Sequence, residues 1–256
     1  MNWKAFLAML ARDVRVARRN FIPLLLQTFL QPLIFVFIFG RVMVGSGYMP
    51  AQYKSLLVPG ILAISMFASG IWAVAMPLIA EFQISREIED RLLAPMKISW
   101  VAVEKVVFGA LQALASGVVV IPASWILLRP GVEFSLHRPL VFAAVALLVA
   151  LFSASAGLVI GCTIEPPQTG LLFSLIISPM VFFGCAYYPW HALDAFPILQ
   201  KAVLVNPLVY ASEGLRAALV PQFPHLPLSI AFAGLIAFDA LLFTAGLRQF
   251  QKKAVN

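Results

Sequence analysis

The residues of this chain that could carry chemistry are two carboxylates in apolar surroundings, Glu213 and Asp239, and three histidines. Asp239 lies in the middle of an apolar stretch, where an unpaired charge costs several kcal/mol. It either contacts a substrate or a proton, or is a neutral or hydrogen-bonded residue between helices. Glu213 stands three residues before Arg216, a spacing that predicts a local ion pair. The histidines are scattered through predicted outer loops, whereas metal ligands cluster. They are His137, His191 and His225.

Sequence motifs of the common catalytic sites are absent. The chain has no G-x-x-x-x-G-K-[ST] loop for the phosphates of ATP, no H-E-x-x-H zinc motif and no G-x-S-x-G nucleophile. Its two cysteines, Cys162 and Cys185, lack the spacing of a disulfide or metal set and are interpreted as packing residues. We therefore expect no catalytic residue, no metal site and no cofactor bound by this chain.

The composition excludes a water-soluble globular domain. Hydrophobic residues make up 62% of the 256 residues, charged residues make up 11%, and the mean hydropathy is +0.95. No soluble domain of this size can bury so much apolar surface. The net charge of +7 fits basic loops on the inner side of a membrane and contact with anionic lipid, and it does not indicate nucleic-acid binding.

Six apolar stretches are each near or above the roughly 20 residues that cross a bilayer. They are Phe21–Gly40, Leu56–Ala80, Val101–Leu128, Leu140–Thr163, Gln168–Tyr188 and Leu226–Leu247. The pattern predicts an all-α membrane protein with one transmembrane domain over residues 1–256. An interfacial helix occupies 1–20, five spans lie within 21–188, and the last span and a tail occupy 225–256. Small residues four apart, such as Ser153, Gly157 and Gly161, predict close helix packing.

The segment from Glu81 to Lys105 is a densely charged interruption between the second and third spans. Its aliphatic residues recur every four positions, which places them on one helical face. Opposite charges also stand four apart, and Pro95 ends the helix. The pattern predicts a short amphipathic helix over 81–95 that either docks onto a partner or rests on lipid. Its candidate contact residues are Ile84, Arg86, Glu87, Ile88, Glu89, Asp90, Arg91 and Leu92.

The N-terminal segment, 1–20, has the pattern of a helix that lies in the membrane surface. Its apolar residues share one face of a helix: Trp3, Phe6, Leu7, Leu10 and Val14. Its basic residues share another face: Arg12, Arg15 and Arg19. A disordered basic leader is the alternative interpretation.

The basic residues also predict the orientation. With both termini and the charged segment on the inside, twelve lysines and arginines lie inside and six lie outside. This distribution satisfies the positive-inside rule. Both termini and the charged helix are therefore expected to face the cytoplasm.

The segment from Pro189 to Pro224 is apolar enough to enter the bilayer but is broken by proline and carries charges. If it crossed the membrane, the basic C-terminal tail would move outside, against the charge rule. We predict a re-entrant helical segment over 189–224, which is tolerated only where it is buried in protein or lines a cavity. Its characteristic residues are Asn206, Pro207, Tyr210, Glu213 and Arg216.

This layout resembles the membrane subunits of type-2 ABC exporters, most closely the short bacterial permeases that export drugs, glycolipids or lipo-oligosaccharides. The resemblance covers nearly the whole chain. Residues 82–95 resemble the family's cytoplasmic loop, 178–189 the outer end of its fifth span, and 206–216 its re-entrant region.

The resemblance implies a non-catalytic permease in the bacterial inner membrane. It would pair with a second copy, as a homodimer, and with separate ABC ATP-binding subunits that hold ATP and magnesium. The 81–95 helix would be the coupling helix, and the first and fifth spans would line the path of an amphiphilic, lipid-linked or drug-like cargo. Asp239 is a possible contact along that path.

Two other functions stay open. One is an intramembrane lipid-modifying enzyme that uses Asp239, Glu213 and the outer histidines. The other is a membrane scaffold that transports nothing. An enzyme should concentrate polar residues at one depth on several spans, which this chain does not, and a scaffold does not need a re-entrant segment.

Overall fold

The computed structural model describes residues 3–19, 30, 32–83, 88, 97–129, 131 and 138–255. Within these ranges the chain is helical and has no β-strand, which confirms the predicted all-α class for them. The helices are α1 (Trp3–Arg19), α2 (Pro32–Gly45), α3 (Tyr53–Gln83), α4 (Ile98–Leu128), α5 (Pro139–Thr163), α6 (Pro166–Phe182), α7 (Pro197–Ala202), α8 (Pro207–Leu219) and α9 (Leu228–Val255).

In the part of the chain that the structure describes, four helices are long and apolar enough to cross a membrane: α3, α4, α5 and α9. They correspond to the predicted second, third, fourth and sixth spans, and α9 continues past the predicted end at Leu247. The predicted first and fifth spans correspond to α2 and α6, which are shorter apolar helices. Residues 21–29 and 31 of the first span lie outside the described residues, so six spans stay a prediction.

Helix α3 lies at the centre of the bundle. Of its most apolar stretch 89% is buried, against 17% for α9, which lies at the periphery. The helix packs mainly against α5, α4 and α8. Two prolines, Pro59 and Pro77, lie inside it; each removes one backbone hydrogen bond, which neighbouring helices help to offset in a membrane.

The small residues of α4 and α5 allow close contact with α3, as their spacing predicts. A Cβ atom added to Gly157 would lie 2.9 Å from the carbonyl oxygen of Ile71, and one added to Gly109 would lie 2.3 Å from a methyl carbon of Val74. Any larger residue at these positions would push the helices apart. Backbone approach of this kind is a main source of helix association where the hydrophobic effect is absent.

Helices α2 and α6 each contain a π-helical turn, Val36–Val42 and Phe173–Ile177 respectively. In such a turn each backbone hydrogen bond encloses one residue more than in an α-helix. Beside the first turn, the rings of Phe35 and Phe39 stack 5.7 Å apart, and both contact the ring of Tyr187. Helix α2 is thereby held against the segment that follows α6.

Helix α8 is short and deeply buried. It has 13 residues, and all of them except Tyr210 are buried. At 1.5 Å per residue it is about 20 Å long, too short to cross the hydrocarbon layer. It packs against α3, α9 and α5. A buried half-length helix is what the re-entrant prediction requires, although its depth in a bilayer stays a prediction.

Candidate functional site

The predicted coupling helix falls mostly outside the described residues. Seven of its eight candidate contact residues lie there: Ile84, Arg86, Glu87, Glu89, Asp90, Arg91 and Leu92. Ile88 is described; it is 5% exposed and belongs to the main apolar core. This side chain therefore packs inside its own chain and does not present an apolar surface to a partner.

A cluster of three buried charges lies where the helices on either side of that segment meet α1. Lys105 lies in the second turn of α4. Its Nζ donates a hydrogen bond of 2.9 Å to Asp13 Oδ2 of α1 and one of 2.8 Å to Glu81 Oε1 at the end of α3. The three side chains are 1%, 9% and 8% exposed respectively. Charges removed from water in this way are stable only when paired with good geometry, as they are here. We call these three residues the ammonium cluster.

Sequence reasoning missed this cluster. Glu81 and Lys105 are the ends of the charged segment, but a separation of 24 residues predicts no contact between them, and no spacing assigns a partner to Asp13. A signal was present, because Asp13 stands seven residues after the buried Phe6 and so shares its helical face. A carboxylate that continues an apolar face toward the protein needs a buried cation as its partner.

The predicted apolar face of α1 is partly buried against the protein and partly exposed. Phe6 is buried, and its ring lies edge-on to that of Trp100 at 6.4 Å. Trp3 and Leu7 remain 62% and 56% exposed. The predicted basic face is exposed as expected: Arg12, Arg15 and Arg19. The helix therefore packs on α4 with one face and keeps an apolar face and a basic face outward.

At the other end of the bundle, Glu213 and Arg216 form the predicted ion pair, and both are fully buried. Glu213 also accepts backbone hydrogen bonds from Trp190 at 2.9 Å and from Leu226 at 2.7 Å. Arg216 donates to the carbonyl oxygen of Cys185 at 2.9 Å. One ion pair in α8 thus holds three segments of chain: the end of the fifth span region, the start of the 189–224 segment and the approach to α9. We call this group the outer network.

Asn206 begins α8 and ties it to α6. Its side-chain oxygen accepts from the backbone N–H of Leu208 at 3.0 Å, and its amide donates to the carbonyl oxygen of Met180 at 2.7 Å. Pro207 occupies the first helical position, where its missing N–H costs nothing. Tyr210 donates its hydroxyl to the carbonyl oxygen of Leu204 at 2.8 Å. These residues position α8; none of these bonds leaves a reactive group aimed at a ligand.

Asp239 lies beside an apolar cavity of about 290 Å³ between α4, α5 and α9. The cavity is also lined by Val106, Leu151, Ser155, Ala240 and Phe243. Both carboxyl oxygens are buried and form no hydrogen bond with any residue that the structure describes. No hydrogen bond links Asp239 to the outer network, and no group of His, Cys, Asp and Glu among the described residues could hold a metal. The described residues therefore do not form a shared set of acid–base groups.

The family model of the ABC-2 type transporter matches residues 4–220. No curated protein matches the chain. The match covers most of the sequence and includes α1 from Lys4 onward, the ammonium cluster, and the outer network except Leu226. The chain therefore belongs to the ABC-2 type transporter family, as a multi-pass membrane permease component of an ABC transporter.

Proposed function

We propose that this chain is the permease subunit of an ATP-driven exporter of the bacterial inner membrane, with both termini in the cytoplasm. It acts as a homodimer with two separate ATP-binding subunits. The family match supports a transport component. The sequence contains no phosphate-binding loop, so ATP and magnesium are assigned to the partner chain.

Coupling to the ATPase is assigned to the 81–95 segment, and the observation that carries this assignment is the ammonium cluster. Lys105 joins the last turn of α3 to the first turns of α4, and these two helix ends enclose the segment. The same ammonium group holds α1 through Asp13. A displacement of the segment by a docked ATPase would therefore reach α1, α3 and α4 together.

The cargo path is assigned to the surface between two copies, formed by α2 and α6. Helix α6 supports this through its outward apolar side chains: Leu171, Leu175, Ile176 and Phe182. A path lined in this way suits an amphiphilic, lipid-linked or drug-like molecule better than a sugar or an ion. Asp239 does not line this surface; it lines the cavity between α4, α5 and α9 and is proposed as a polar contact for cargo that enters that cavity.

The enzyme alternative has less support. Both carboxyl oxygens of Glu213 accept hydrogen bonds from other residues of the chain, so this carboxylate stabilises the fold and is not available to a substrate. Neither His191 nor His225 bonds to Asp239 in the described structure. No observation favours a scaffold over a transporter.

The test is affinity purification of the C-terminally tagged chain from its native membranes in mild detergent. A matched sample carries Glu87→Arg with Asp90→Arg, and a control carries Asp194→Arg in an exposed outer turn. Wild type and control should bring down a chain that contains a phosphate-binding loop and hydrolyses ATP, and the double variant should not.

Reconstitution of the recovered complex into vesicles then tests transport. Movement of a fluorescent amphiphile should require ATP and should be lost in the double variant. Recovery of no ATPase with any variant, together with a lipid-modifying reaction by the chain alone, would overturn the proposal.

A further inference from the structure

An apolar groove lies between α2 and α4, away from the cavity of Asp239. It has a volume of about 260 Å³ and is lined by Leu30, Leu33, Ile34 and Phe37 on one side and Ala123 and Leu127 on the other. The first four residues follow the spacing of one helical face. Leu30, Ile34 and Phe37 are between 47% and 57% exposed, so the groove is open to its surroundings along its length.

Two arginines stand at one end of this groove. Arg41 follows Phe37 by four residues, and its Nη1 donates to the carbonyl oxygen of Arg129 at 2.7 Å and of Leu127 at 3.3 Å. The guanidinium of Arg129 lies 3.1 Å above the ring centroid of Trp125. Both arginines are exposed, and neither forms an ion pair with another described residue. The apolar groove thus ends at two cations.

The arginines keep the capacity to bind an anion. A guanidinium has five N–H donors, and the bonds of Arg41 to α4 use only Nη1. Guanidinium groups pair with phosphate oxygens through two parallel hydrogen bonds, and each basic residue at a membrane surface attracts anionic lipid. Trp125 beside them is the residue type that marks the membrane–water interface.

We propose that this groove is a binding site for an anionic phospholipid of the bilayer. One acyl chain lies along Leu30, Ile34 and Phe37, and the phosphate is bound by Arg41 and Arg129. The other face of α2 carries Phe35 and Phe39, which contact Tyr187, so the site does not compete with that packing. The proposal requires only that the chain lies in a membrane, and it stands or falls independently of the ATPase and of the cargo.

The test is native mass spectrometry of the purified full chain in detergent, titrated with phosphatidylglycerol or with phosphatidylcholine of the same acyl chains. Arg129→Gln should weaken phosphatidylglycerol binding by about fivefold, the upper value for one exposed ion pair, and leave phosphatidylcholine unchanged. Ile34→Trp fills the groove and should weaken both lipids. Both variants keep the contact of Arg41 with α4. Arg138→Gln, a change at another exposed arginine, is the control and should bind both lipids like wild type.

Equal binding of the two lipids by wild type, or an Arg129→Gln variant that binds like wild type, would overturn the proposal. A second copy of the chain is the competing occupant, and Ile34→Cys tests it. The two native cysteines, Cys162 and Cys185, are buried and give little background. An efficient disulfide between two copies through Cys at position 34 in native membranes would assign the groove to a subunit contact instead. Absence of that disulfide is expected.

Discussion

Lys105 and Glu81 stand 24 positions apart in the chain, yet their side chains meet at 2.8 Å in the protein interior. The residues between them include the segment to which coupling is assigned. The segment is therefore closed at its base by a buried ion pair, and Asp13 adds α1 to the same ammonium group. This arrangement makes the ammonium cluster the first feature to test by mutation.

Lys105→Met should destabilise the protein strongly. The change leaves Asp13 and Glu81 buried without the cation between them, and removal of one partner from a buried ion pair costs about 3–5 kcal/mol. Thermal unfolding in detergent measures the effect. Lys201→Met, at an exposed position of α7, should leave the unfolding temperature unchanged. A Lys105→Met protein as stable as wild type would mean that the cluster contributes no net stability.

Glu213→Gln should destabilise the protein and loosen the outer network, because it leaves the fully buried Arg216 without its carboxylate. The amide keeps the size of the side chain but lacks the negative charge. That charge pairs with Arg216 and strengthens the hydrogen bonds from the backbone N–H groups of Trp190 and Leu226. Hydrogen exchange of those two backbone amides should accelerate. Glu165→Gln, the same change at an exposed carboxylate after α5, is the control and should not change either rate. Unchanged protection of both amides in Glu213→Gln would contradict the assigned role.

Gly60→Ala should be severely destabilising, whereas Gly45→Ala should be nearly neutral. A Cβ atom at position 60 would lie 1.7 Å from the carbonyl oxygen of Ala186, and one at position 45 meets nothing within 4 Å. Overpacking of a tight site typically costs about 1–3 kcal/mol or more. Unfolding temperature and expression level of the two variants report the difference. Equal stability of the pair would show that the chain around Ala186 can move away from α3.

Asp239→Leu should raise the unfolding temperature and lower transport. Its carboxyl oxygens are buried without a hydrogen-bond partner in the described structure, so an apolar replacement removes a desolvation cost. Functional sites often retain such costly groups. The paired measurements are thermal unfolding and ATP-driven movement of a fluorescent amphiphile. Full transport by a stabilised variant would remove Asp239 from the cargo path.

Hydropathy was sufficient to predict the helices that cross the bundle, because a long apolar run in a membrane protein leaves helix as the only way to satisfy its backbone. The predicted ends of α3, α4 and α5 lie within three residues of the observed ones, whereas α9 continues eight residues past its predicted end. Helix α6 was predicted to end at Tyr188 but ends at Phe182. Hydropathy does not register the turn there, where Cys185 adopts a positive φ of 52°.

The local ion pair of Glu213 and Arg216 could be predicted because its residues stand three apart on one helix. The helical face of Asp13 predicts that it needs a buried cation. The partners in the ammonium cluster could not be predicted, because they come from three helices whose relative positions are set by packing. The same reason applies to the backbone partners of Glu213, which are 23 and 13 residues away. Spacing along a sequence predicts contacts within one element, whereas contacts between elements depend on the fold.

The π-helical turn at Val36–Val42 changes the direction in which the side chains after it point around the axis of α2. Each residue of an α-helix turns the chain by about 100°, so loss of the extra residue in the turn would rotate Arg41 away from the end of α4. The backbone hydrogen bonds of the π-helical turn therefore determine how this part of α2 is rotated about the helix axis. A change between π and α geometry would turn the outer end of α2 while the helix stays intact.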